Sequence, residues 1–345
     1  MSEAEEVLTA TAEWDLPPER HRHFKDVLMQ QIDQDRNQDL NQNHDQDPSV
    51  RPSVRRRFTR PAVLVPLASA ALAGALLVTL SVDGRGPATG ATPSARAAGA
   101  SVTLNRIATA AMASDAIRVR DDQFVYVRTL LRVNKGDFSG PIRMGALHTE
   151  ERWMAQDPDP LHITGWIRES GKDAIMPDEM IPIENTDAVP AGPDHPTYRW
   201  LASLPTDPDA LLQRLSQAAR PVEGESRDQA VFSLIGNLIS GTVMPPANAA
   251  AFYRAAARLP GVREIPDAVD AAGRHGIAIT LDDTGFATRD EWIFDKETLT
   301  LLGTRFYITD PDRGITTETL AGTTAVMKTA VVDAKGEAPA RAASR

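Results

Sequence analysis

The chain has 345 residues, 42% of them hydrophobic, a formal net charge of −10 and no cysteine. That length allows one large domain or two smaller ones. The negative balance argues against a general nucleic-acid binder, which carries a basic patch or stripe. The missing thiols exclude disulfides, thiolate zinc sites, iron–sulfur clusters and a cysteine nucleophile.

Residues 1–60 read as two parts. In "LPPERHRHFKDVLMQQI" the prolines Pro17 and Pro18 precede a short helix from about Glu19 to Gln34. Phe24, Val27, Leu28 and Ile32 fall on one narrow apolar stripe at helical spacing, a candidate surface for a protein partner. His21 and His23 stand two apart, so they point to different helix faces and share no metal. The following "QDRNQDLNQNHDQDPSV" has too little apolar surface to order itself and reads as a tether.

Pro61 to Val82 contains no charged residue. As a helix this run spans roughly 33 Å, the thickness of the hydrocarbon core of a bilayer. A secretory signal has a shorter apolar stretch placed near the N-terminus, and a soluble core helix shows a polar stripe. The run therefore reads as a retained transmembrane anchor. Arg55, Arg56, Arg57 and Arg60 crowd its N-terminal side, so the positive-inside rule puts residues 1–60 in the cytoplasm and the rest outside. Residues 83–101, rich in Gly, Pro, Ala and Thr, read as a flexible linker.

The external domain is expected over residues 102–334, opening with a helix capped by Ser101. In "QFVYVRTLLRV", Val125, Val127, Leu131 and Val133 alternate onto one strand face, with Phe124, Tyr126, Arg128, Leu130 and Arg132 on the other. "MGALHTEERWMA" and "LHITGWIRE" read as further strands. The proline-rich run Ala174–Pro196 reads as a long loop with a short strand. Helices follow in "TDPDALLQRLSQAAR", capped by Thr206 or Asp207, in "SRDQAVFSLIGNLISG" from Ser226 to Gly241, and in "PPANAAAFYRAAARLPG" from about Pro246 to Leu259. "GIAITLDD", "GFATRDEWIFD", "TLLGTRFYIT" and "TAVMKTAVVD" return to strands, and residues 335–345 read as a disordered tail. Strands first, helices in the middle and strands last imply an α+β fold on an antiparallel sheet.

Catalytic and metal patterns are sparse. His148 and Glu150 share a strand face and could serve as base and carboxylate, but without a nucleophile they read as a solvated face. His162, His195 and His275 show no metal spacing. Asp282, Asp283, Asp290 and Glu291 lack the calcium-loop pattern and read as a charged hairpin, with Arg289 and Glu291 on one solvated face. Trp153, Trp166, Trp292, Phe294, Phe306 and Tyr307 read as core, or in part as the wall of an apolar cavity plugged by the helix carrying Phe232, Leu234, Ile235, Leu238 and Ile239.

"LPPERHRHFKDVLMQQID", "LPTDPDALLQRL" and "WIFDKETLTLLGTRFYIT" together resemble an actinobacterial family of single-pass membrane proteins that has no established activity. The order of elements in the external domain resembles the periplasmic lipoprotein-carrier and sigma-regulator fold. That resemblance implies a curved, half-barrel-like antiparallel sheet with helices on one face and a cavity for acyl chains or a peptide. The N-terminal layout resembles membrane anti-sigma factors, but the zinc type needs a Cys-x-x-Cys that this chain lacks. Together these features suggest a non-enzymatic membrane protein that binds an apolar ligand or a protein partner outside the cell. A tethered lipid or lipoprotein chaperone and an extracytoplasmic enzyme remain as alternatives.

Overall fold

A computed structural model describes residues 93–135, 141–310 and 315–339. The expected anchor, the Phe24–Ile32 stripe and the arginines Arg55, Arg56, Arg57 and Arg60 lie outside the described residues. Among the described residues no helix is long and apolar enough to cross a membrane.

The elements run α1 (Pro93–Met112), β1 (Phe124–Val133), β2 (His148–Ala155), β3 (Leu161–Ser170), β4 (Met180–Val189), α2 (Tyr198–Ser203), α3 (Pro208–Ala218), α4 (Arg227–Gly241), α5 (Pro246–Ala256), β5 (Arg263–Val269), β6 (His275–Asp283), β7 (Thr288–Phe294), β8 (Leu301–Asp310) and β9 (Ile315–Val332). The strands form one nine-stranded open sheet in the order β4-β3-β2-β1-β9-β8-β7-β6-β5. Every neighbouring pair is antiparallel. Two meanders are thus joined at the centre by the first and last strands, with four helices inserted between them, and the fold is α+β as expected.

The alternation in β1 works as a strand pattern requires. Val125, Val127 and Leu131 are buried on one face. Tyr126 is buried on the other, against Trp153. The largest core lies between the helices and the β6–β7 half of the sheet. It joins Leu104 and Ile107 of α1, Leu211 and Leu215 of α3, Phe232 and Ile235 of α4 and Phe252 of α5 to Ile279, Leu281, Trp292 and Phe294. Each such side chain contributes about 1.5–3 kcal/mol by leaving water.

The helix starts follow capping chemistry. The Asp207 carboxylate accepts from the backbone N–H groups of Asp209 and Ala210, with Pro208 in the first turn. Ser226 caps α4 by accepting from the Gln229 N–H.

Several expectations change. Helix α1 begins at Pro93, inside the stretch read as linker. Alanine is the strongest helix former, and Ala100 is buried in the core, so small residues suit both the helix and its close packing. The proline-rich run holds a ten-residue strand, β4. It is an edge strand, where Pro182 need not donate on both sides. β5, with Pro266, occupies the other edge and carried no clear strand pattern. The first residues of the expected tail are tied down: the Trp153 indole N–H donates to the Glu337 carbonyl at 2.7 Å, and the Lys335 ammonium lies 4.1 Å from the Trp166 ring centre.

Candidate functional site: a groove beneath helix α4

Helix α4 crosses the helix-covered face of the sheet and is fastened chiefly at its N-terminal half. The Ser226 N–H donates to Asp283 at 2.7 Å, and the Asp283 carboxylate also accepts from the Gly285 and Phe286 N–H groups. Burial works against the Asp283 anion, yet these N–H donors hold its carboxyl below the usual range. One turn on, the Asp290 carboxylate of β7 accepts from both Gln229 Nε2 and Ser233 Oγ at 2.6 Å. Phe232 stacks on Trp292 with ring centres 3.8 Å apart. Asp283 and Asp290, read from sequence as hairpin charges, are therefore the clamps of this helix.

Beyond Gly236 the C-terminal half of α4 roofs a groove. Asn237, Leu238, Ser240, Gly241 and the following Thr242 face a floor made by β2, β1, β9 and β8, with Val127, Leu131, Val133, Met154, Val326 and Phe306 lining it. Its volume is about 100 Å³. A second, more polar space of about 60 Å³ lies under the N-terminal half of α4, between Ser233, Asp290, Trp292 and Thr304. Asn237 and Phe306 line both, so the two spaces adjoin.

The polar wall of the groove comes from alternation in β2. His148, Glu150, Arg152 and Met154 stand opposite Leu131, Thr129, Val127 and Val125 of β1, and all share the groove face. Glu150 lies directly across from Glu169 of β3. The solvated face expected for His148 and Glu150 is not found: their residues are 5% and 3% exposed. The loop after β3 packs on His148, where a Cβ built on Gly171 would stand 3.3 Å from the His148 Cβ. His148 Nδ1 donates to the Ala146 carbonyl at 3.1 Å, and its Nε2 stands 3.8 Å from Glu169 Oε2, beyond hydrogen-bond reach. The Ile175 N–H donates to Glu169 Oε2 at 2.7 Å, closing the loop over the cluster. That loop holds Asp173, Met176 and Asp178 at positive φ, a conformation costly for side-chain-bearing residues.

Arg152 donates through Nε to Glu150 Oε1 at 2.8 Å and is 22% exposed at its side chain. Its terminal guanidinium nitrogens have no hydrogen-bond acceptor among the described residues. Sequence reading passed over Arg152 and Asn237. The alternation His148-x-Glu150-x-Arg152-x-Met154 carried the signal for the first, since it puts a cation on the face that also carries Met154.

The remaining candidates disperse. Glu291, read as solvated, is 0% exposed on the opposite face, paired to Arg289 at 3.2 Å and Arg305 at 2.5 Å. Both guanidiniums also lie over the Tyr307 ring. His162 is exposed and meets the Asn185 carbonyl, and His275 pairs with Asp267 at the surface. His195 is buried beside Pro196, which lines the groove, and its Nε2 donates to the Ala155 carbonyl at 3.1 Å. Trp292 and Phe306 line the groove spaces, whereas Trp153 and Trp166 pack with Tyr126 on the far face. Among the described residues no group of three or more His, Asp or Glu is arranged to hold a metal ion. No hydroxyl bonds to His148 among the described residues, so the imidazole has no nucleophile to activate.

No protein-family model, curated protein or solved structure matches this chain.

Proposed function

We propose that this protein is a single-pass membrane protein, N-terminus inside, whose extracytoplasmic domain binds an apolar ligand in the groove beneath α4. The observation that carries the reading is the groove itself. It is a space at the centre of the sheet in which Val127, Leu131, Val133, Met154, Leu238, Phe306 and Val326 provide apolar surface, interleaved with threonines, Asn237, Ser240 and the Glu150–Arg152 pair, a mixture of apolar surface and polar groups found in ligand sites. The sheet, in this reading, is a half-barrel with α4 as its plug. The charge-free run Pro61–Val82 and the arginines before it support the membrane assignment. The Phe24–Ile32 stripe would carry the ligand state to a cytoplasmic partner. A tethered lipid or lipoprotein chaperone would use the same groove. A catalytic reading is weaker, because His148 is spent on a backbone carbonyl and faces a carboxylate beyond bonding distance.

Two experiments test this. The absence of native cysteine makes single-cysteine labelling direct. An impermeant maleimide applied to intact cells should label Thr89→Cys and spare Ser53→Cys; the reverse pattern, or labelling of neither until lysis, removes the proposed topology. Photolabelling of the full chain with a diazirine alkyl probe, mapped by peptide mass spectrometry, should mark the β1 and β9 segments around Val127–Val133 and Thr323–Val326. Label scattered over the surface removes the groove reading.

A further inference from the structure

The groove has one cation, and its geometry says what that cation is for. Among the described residues lining the groove, Arg152 is the sole Lys or Arg and Glu150 the sole carboxylate. The guanidinium reaches Glu150 Oε1 through Nε, at 2.8 Å. The guanidinium is a planar fork of five N–H donors, so four donors on its terminal nitrogens remain for a group in the groove. A charged donor with no acceptor in a mostly apolar space is costly unless water or a ligand answers it. The side chain is 22% exposed, which places it at the rim rather than at the closed end.

The register then gives the direction of a bound molecule. Arg152 stands opposite Val127 in β1. In β9, Thr129 and Leu131 stand opposite Val326 and Thr324. Further across, Phe306 of β8 stands opposite Gly322. From the Arg152 rim to Phe306 the floor therefore crosses three strand steps, about 14 Å at the usual inter-strand spacing. Apart from its threonines, the floor of this path is lined by apolar side chains and glycine, and Leu238 and Gly241 roof it together with the polar Asn237, Ser240 and Thr242. The space, about 100 Å³, is far below the roughly 300–1,000 Å³ of drug-sized sites, so it fits one slender chain and not a two-tailed lipid.

We infer that the groove takes a single-chain amphiphile with a carboxylate head, the carboxylate lying on the terminal nitrogens of Arg152 and the alkyl chain running across β1 and β9 toward Phe306. A carboxylate presents two oxygens in one plane, the match for the guanidinium fork that Glu150 leaves open. This inference rests on the groove reading above and adds the head-group chemistry.

The test compares two photoreactive probes on the full chain, mid-chain diazirine dodecanoate and the matching dodecanol, with the label mapped to peptides. The carboxylate should label the β1 and β9 groove peptides about 10-fold more strongly than the alcohol, the advantage of a charge-assisted hydrogen bond. Arg152→Gln should abolish that advantage and leave the alcohol signal unchanged, while Arg152→Lys should keep part of it. Because Arg152→Gln leaves Glu150 buried without its cation, the double variant Glu150→Gln/Arg152→Gln is run beside it, with thermal unfolding to confirm the fold. Equal labelling by acid and alcohol, unaffected by either variant, overturns the head-group inference and leaves the groove reading standing. Absence of groove labelling by both probes overturns both together.

Discussion

Gly236 and Trp292 fit each other because one of them has no side chain. A Cβ built on Gly236 would stand 2.5 Å from the Trp292 Nε1 and 3.2 Å from its Cε2. The missing methyl lets α4 settle on β7 closely enough for Phe232 to stack on the same indole, planes within 8°. A glycine inside a helix costs about 1 kcal/mol of helix propensity relative to alanine, and here close packing offsets it.

Gly236→Ala therefore destabilises the protein despite its better propensity. Overpacking of this kind costs about 1–3 kcal/mol. Chemical denaturation followed by tryptophan fluorescence should show a lower midpoint and a shifted Trp292 emission. A midpoint equal to or above wild type would mean that the helix does not rest on the indole as described.

Gly241→Leu should behave oppositely. Gly241 lines the groove, and an added Cβ there meets nothing within 4 Å. Leucine costs the helix nothing and fills open space, so stability should stay within about 1 kcal/mol of wild type or rise. Alkyl photolabelling of the β1 and β9 peptides should fall sharply. Retained labelling with a normal fold would show that the chain lies elsewhere.

His195, buried beside Pro196, gives the stability of the fold a pH dependence. Burial pushes its imidazole below the usual histidine value, although the Ala155 and Val189 carbonyls favour the cation. A histidine kept neutral by the fold contributes stability that is present above the unfolded value of about 6.5 and lost as pH falls below it through the lower folded value. The melting temperature should drop on acidification across that window. His195→Gln retains a donor for the Ala155 carbonyl without a titrating ring and should flatten the dependence. An unchanged slope in that variant would assign the acid sensitivity to other groups.

Trp153→Phe should release the C-terminal segment. The indole N–H donates to the Glu337 carbonyl at 2.7 Å, while Lys335 sits over Trp166. Losing one such hydrogen bond costs about 1 kcal/mol. Trypsin should cut after Lys335 faster in the variant, with amide exchange of Gly336 and Glu337 accelerated and the β1–β9 ladder unaffected. Equal cleavage rates would show that the segment is held by Lys335 alone.

Much of the fold was legible because its signals are local. Asp207 with Pro208, and Ser226, announce α3 and α4, and the alternation of Val125, Val127 and Leu131 announces the buried face of β1. The edge strands were harder to read, since Pro182 and Pro266 argue against a strand unless it lies at an edge, and sequence does not say which strands are edges. The site was half legible. His148 and Glu150 were placed on one face, but that face was read as wet. Period-two alternation says which side chains share a face and is silent on what covers it.

By itself, then, the sequence determined the residues of most elements, the capping of the central helices, the α+β order and the absence of thiol chemistry. Only the tertiary structure decided that β1 pairs with β9, and with that pairing the groove floor came into being. It also decided that Glu150 faces Glu169, that Asp283 and Asp290 clamp α4, and that Glu291 is buried between two arginines. The physical reason is range. Helix caps, turns and alternation are set by residues a few positions apart, whereas burial, charge pairing and cavities arise between segments far apart in the chain that meet only when the sheet assembles.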